Sequence, residues 1–103
     1  MDRFHRMLRD LREFCPTVVP VRVRRVPLDD CLGYAVARHT AEGHLSHFYV
    51  ALDSQQSWDS MWQVLVHEWA HCLAWHEGHE TVDDHGPEWG LAVARVYQDV
   101  VEV

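Results

Sequence analysis

The sequence predicts an α+β domain, a small antiparallel sheet packed on helices. Three observations carry that prediction: apolar residues at helical spacing near the N-terminus, alternating runs in the middle, and a return to helical spacing after Trp58. A chain of 103 residues is one domain, taken here as 1–103. A chain of this size buries roughly 65% of its unfolded surface, enough for one modest core. Its 48% hydrophobic and 24% charged residues are those of a folded, water-exposed protein rather than a disordered one.

The first element is a helix over about residues 2–15. Phe4, Met7, Leu8, Leu11 and Phe14 recur on its apolar side, and Pro16 stops the pattern. Residues 18–26 then alternate as a strand, with Val21 and Val23 on one face and Arg22 and Arg24 on the other. The segment PLDDCLG breaks it. Residues 33–43 and 44–52 read as two more strands, with Glu42-Gly43 as a hairpin turn between them. In the last strand Phe48, Val50 and Leu52 share one face, His47 and Tyr49 the other. A helix over about 58–76 follows, carrying Met61, Leu65, Cys72 and Trp75 along one side, with Gly78 as its terminator. A polar loop, 78–86, leads to a last helix over about 87–101, opened by Pro87 in its first turn.

Composition excludes several classes of function. No apolar run approaches the ~20 residues that span a bilayer. The acid-bearing N-terminus fits neither a secretory leader nor a transit peptide, so a cytoplasmic location is expected. Cys15, Cys31 and Cys72 are odd in number, widely spaced and without a CxxC pair, which argues for reduced thiols and against a disulfide framework or zinc ribbon. Sixteen acids face nine arginines and no lysine, a formal charge of −7 that disfavours a nucleic-acid partner. Arg22, Arg24 and Arg25 form the one basic cluster.

Nine histidines are the unusual feature, and five of them fall between residues 67 and 85. His67-Glu68-Trp69-Ala70-His71 is an HExxH pattern inside an expected helix. Positions i and i+4 stack on one helical face, so both imidazoles can point at one metal ion. Glu68 falls beside that face, within reach of a water on the metal without being a ligand. In a chain this rich in histidine the pattern arises by chance about once in twenty, so it requires a second signal.

A catalytic zinc takes three protein ligands and keeps a fourth position open. The residues leave four candidates for the third ligand: His76, His79, His85 and Glu88. Spacing of the metzincin kind would need a histidine at position 77 and a glycine at position 74; these are Glu77 and Ala74. In the second polar motif, Gly86 permits a tight turn, Pro87 starts a helix, and Glu88 suits its first turn through the helix dipole. Trp89 is placed to anchor this motif against the HExxH helix, and Asp83 or Asp84 to accept a hydrogen bond from a ligand imidazole.

The two motifs together, HEWAH and, thirteen residues on, Asp84-His85-Gly86-Pro87-Glu88-Trp89, resemble the SprT-like (Spartan-type) metalloprotease domain over about residues 60–92. The resemblance implies a minimal zincin fold, with one zinc ion per chain on His67, His71 and His85 and Glu68 as the catalytic base. It implies hydrolysis of peptide bonds in protein or peptide substrates, with a non-catalytic zinc-binding or interaction module as the alternative. It also suggests association with DNA, which the acidic balance and the lack of a cysteine pair for a zinc ribbon oppose. An extended substrate is expected to pair with an exposed edge at residues 45–51. His79, Tyr97, Arg95 and Tyr49 are candidates to stabilise the oxyanion, unranked by sequence.

Overall fold

The computed structural model describes residues 1–76 and 85–102. Helix α1, Arg3–Phe14, opens on Asp2, whose carboxylate accepts the backbone N–H of His5 at 2.9 Å. That bond satisfies one of the donors a helix start leaves unpaired. Phe4, Leu8 and Leu11 are buried, whereas Phe14 is 49% exposed and lies off the core face. Strands β1 (Val21–Val26), β2 (Gly33–His39) and β3 (Leu45–Asp53) form one sheet. Helix α2, Trp58–Ala74, starts on Ser57, whose hydroxyl accepts the N–H of Ser60. Helix α3, Pro87–Val96, runs on into a π-helical turn, Tyr97–Val101. The α+β arrangement with three strands matches the expectation from sequence.

The sheet differs from that expectation in one respect. Its order is β1-β3-β2, with β3 antiparallel to β2 but parallel to β1. The sheet is therefore mixed. The β2–β3 hairpin turns through Thr40–Gly43, where Gly43 at φ 88° accepts a backbone conformation that other residues resist. It then lays β3, the most apolar strand, between the other two. Alternation in sequence tells which face a side chain takes, but neither its strand's neighbours nor their direction, because both arrangements bury the same residues.

Helix α2 packs on one face of the sheet, α1 joins the same core, and α3 packs on α2. Phe48, Val50 and Leu52 of β3 meet Leu65, Val66 and Trp69 of α2 and Leu8 and Leu11 of α1 in one core. Trp69 is 1% exposed, and its indole N–H donates to the Cys15 carbonyl at 2.9 Å, tying α2 to the end of α1. At Gly33 the backbone of β2 comes so close to α2 that a Cβ would meet Val64 Cγ1 at 2.6 Å. This contact seats β2 one helical turn before His67. Cys15 and Cys72 are buried and Cys31 is exposed, all as free thiols. Among the described residues no helix is long and apolar enough to cross a membrane.

One boundary and one turn also differ from the expectation. Helix α2 ends at Ala74, since Trp75 is extended (φ −63°, ψ 139°) and its ring packs edge-on against Phe48. His76 thus lies beyond the helix rather than within it. Gly86 sits at φ −69°, ψ −172°, a conformation open to any residue, so it makes no turn that only glycine allows. Gly78, His79, Asp83, Asp84 and most of the loop 78–86 lie outside the described residues.

Candidate metal centre

Helix α2 is buried on more than one side, and its polar residues His71 (3% exposed) and Glu68 (6%) lie inside the fold. Burying an imidazole and a carboxylate costs free energy unless each is given a partner. Four residues apart, His67 and His71 bring their Nε2 atoms to 3.2 Å. His85, immediately before the start of α3, adds a third Nε2, 3.0 Å from that of His71 and 3.2 Å from that of His67.

A triangle of this kind is not a hydrogen-bond network. Each Nε2 has one in-plane direction, holding either a proton or a lone pair, so three nitrogens cannot each donate to the next. Three lone pairs converging on one point suit a cation. Tetrahedral zinc with bonds of 2.0–2.1 Å would set its nitrogens about 3.3 Å apart, close to the distances found. These three histidines are a group that can hold a metal ion, and no cysteine or acid joins them among the described residues.

Trp89 supports the group. Its ring centroid lies 5.1 Å from that of His67, 5.6 Å from His71 and 4.8 Å from His85, and its indole N–H donates to the His67 carbonyl at 3.3 Å. One residue of α3 therefore touches all three imidazoles and bonds the backbone of α2. The anchoring expected of Trp89 is what it does.

Glu68 Oε1 lies 3.8 Å from His67 Nε2, beside the triangle and not part of it. The neighbouring Cys72 thiol is pushed far up by burial and, secondarily, by the negative charge of Glu68, so it stays protonated. Glu88, the rival third ligand, turns away. Its carboxylate is 66% exposed and lies 3.2 Å from His76 Nε2.

Beside the triangle is a cleft of about 510 Å³. His67 and Glu68 line it together with Leu32, Val64, Val93 and Tyr97, so its walls are largely apolar. Sequence reasoning missed Leu32, Val64 and Val93, which carry no chemistry of their own; Gly33, needed for the close approach of β2, was the available signal. Of the oxyanion candidates, Tyr97 lines this cleft. Arg95 is turned to Asp99 and the Phe14 carbonyl, Tyr49 lies on the far face of the sheet, and His79 is outside the described residues. The edge expected at residues 45–51 is no edge, because β3 is the central strand. The strand edge nearest the cleft belongs to β2, whose first residue, Gly33, lines its wall together with the preceding Leu32.

An HExxH helix, a histidine brought from a second motif, and a small sheet on one side define the class: an α+β domain with three histidines that can hold a metal ion. Its family follows from comparison. The family model described as SprT-like family matches residues 3–103, essentially the whole chain, and the protein belongs to that family. No curated protein and no solved structure gave a significant match.

Proposed function

We propose that the chain is a zinc-dependent peptidase that hydrolyses peptide bonds in protein substrates, with His67, His71 and His85 as zinc ligands and Glu68 as general base. The observation that carries this reading is the meeting of three Nε2 atoms within 3.2 Å, with a buried carboxylate 3.8 Å from one of them at the wall of a cleft. Zinc held there would supply Lewis acidity, polarising the scissile carbonyl and easing deprotonation of water near neutral pH.

The remaining work falls to the chain. Glu68 takes the proton from the attacking water and hands it to the departing amine. Its burial keeps competing water away and strengthens its electrostatic effect on the reacting atoms. An extended substrate adds to the edge of β2 through backbone hydrogen bonds, which reads the main chain more than side chains. A side chain beside the scissile bond enters the cleft among Leu32, Val64 and Val93. Tyr97, in the same wall, is the described residue best placed to donate to the oxyanion.

Elemental analysis of the wild type and His85→Ala, side by side, tests the centre. One zinc per chain is expected in the wild type and a much weakened site in the variant; no zinc in metal-replete wild type ends the reading. Hydrolysis of an unfolded protein by the zinc-loaded chain, abolished in Glu68→Gln with zinc retained, separates a peptidase from a zinc-binding module without activity.

A further inference from the structure

Arginines in this protein fall into two groups. Six engage the chain itself: Arg3 over the Trp58 ring, Arg6 on the Met1 carbonyl, Arg9 with Asp10, Arg12 on the Val21 carbonyl, Arg25 over the Phe4 ring, and Arg95 with Asp99. The other three, Arg22, Arg24 and Arg38, form no ion pair or hydrogen bond among the described residues, and the one ring contact among them, Arg38 over Tyr49, stays on their own face of the sheet. All three stand on the same surface. Arg22 is paired with Tyr49 and Arg24 with Ala51 across the β1–β3 ladder, and Arg38 with His47 across the β2–β3 ladder. These positions alternate with the core residues Val21, Val23, Phe48 and Val50, so the arginines face away from every helix.

The basic cluster is thus not the one legible in sequence. Arg25 turns inward onto Phe4, and Arg38, fourteen positions after Arg24, takes its place. Between the arginines lie Tyr34 and Tyr49, with ring centroids 6.2 Å apart, and Arg38 stacks 5.6 Å above Tyr49. Burial and, secondarily, the charges of Arg22 and Arg38 hold the His47 imidazole below its ordinary value. Asp53 is the sole acid in the ladder positions of this face, and it is occupied by the N–H groups of Leu28 and Gln55 at the strand's end.

We propose that this open sheet face docks a short, acidic, extended segment of a partner protein, its carboxylates paired with Arg22, Arg24 and Arg38. Charge complementarity selects the partner: in a chain with sixteen acids to nine arginines, three arginines gathered without acidic partners among the described residues are matched from outside. Guanidinium and carboxylate pair through two parallel hydrogen bonds, and the planar Tyr34 and Tyr49 rings offer the aliphatic part of an acidic side chain a surface to lie on. Size decides against a polynucleotide. Three strands at about 4.8 Å spacing and six or seven residues at about 3.3 Å make a face roughly 10 by 20 Å. A longer polyanion would run off it onto the acidic remainder within about one Debye length, ~8 Å at physiological salt. The proposal does not depend on the peptidase reading.

Fluorescence polarisation with a labelled decapeptide of alternating glutamate and serine tests it on the full zinc-loaded chain. The peptide is expected to bind at least about tenfold tighter than its glutamine counterpart and to weaken as salt rises. Arg22→Gln/Arg24→Gln should lose about tenfold, whereas Arg6→Gln/Arg9→Gln on α1 should not change binding. Both pairs are exposed, so circular dichroism and zinc content are expected to match the wild type. Equal binding of the two peptides, or an unaffected Arg22/Arg24 variant, overturns the proposal. An oligothymidine that binds tighter than the peptide through the same arginines also overturns it, and makes the face a nucleic-acid site.

Discussion

Two of the three imidazoles reach the centre on one helix, and the third arrives from a separate motif docked against it. His67 and His71 belong to α2, whose packing on the sheet holds them at helical spacing whether or not a metal is present. His85 is exposed and depends on α3, chiefly on Trp89, for its position. The contrast teaches where a site of this kind stores its precision. One half is a by-product of the core, and the other is positioned by the docking of a second helix, with Trp89 against all three imidazoles.

Glu68 belongs to the core-built half, and its replacement should have the largest effect. Glu68→Gln is nearly isosteric, so zinc content and melting temperature should stay close to the wild type. Hydrolysis should fall by about 10²–10⁴-fold in kcat, the usual worth of a positioned base. An equal rate in the variant would remove Glu68 from the chemistry.

Stability of the zinc-free chain sharpens the same comparison. His71→Ala empties a buried position and should cost on the order of 2 kcal/mol in chemical denaturation. His85→Ala changes an exposed side chain and should stay within about 0.5 kcal/mol. Similar losses for both would show that the two halves are equally part of the core. Trp89→Ala probes the docking contact directly, and zinc affinity should drop by about 10–100-fold, as when the groups that orient metal ligands are removed. Trp89→Phe, which keeps the ring but loses the bond to the His67 carbonyl, should fall between it and the wild type.

The smallest effect expected lies far from the site. Asp2 is held below its ordinary value of 3.8, first by the His5 backbone N–H and then by the His5 side chain. A folded-state value below the unfolded one adds stability that is present above pH 3.8 and lost as the pH falls through the lower folded value. Asp2→Asn should therefore differ slightly from the wild type at neutral pH and converge with it in acid, as read by urea denaturation across that range.

Much of this was legible in the residues. Periodicity located all three helices and all three strands, because burial of one face imposes its period on the sequence. His67, Glu68 and His71 were readable for the same reason, their geometry being that of a single helix. His85 needed the resemblance, since the residues alone left Glu88 and two further histidines open. That Glu88 instead faces His76 follows from the way α3 packs along α2, which no local rule states.

What the sequence alone determined, then, was the three α-helices, the three strands and the half of the centre that lies within one helix; the π-helical turn Tyr97–Val101 was not among them. Tertiary structure decided the rest: that β3 is central and β1 parallel to it, that β2 supplies the edge at the cleft, that Arg38 joins Arg22 and Arg24 while Arg25 leaves them, and that Trp89 spans three histidines. The reason is physical. Local interactions repeat within a few residues and leave a period to read, whereas strand order and helix docking are chosen by the packing of surfaces that many arrangements of the same pattern could bury.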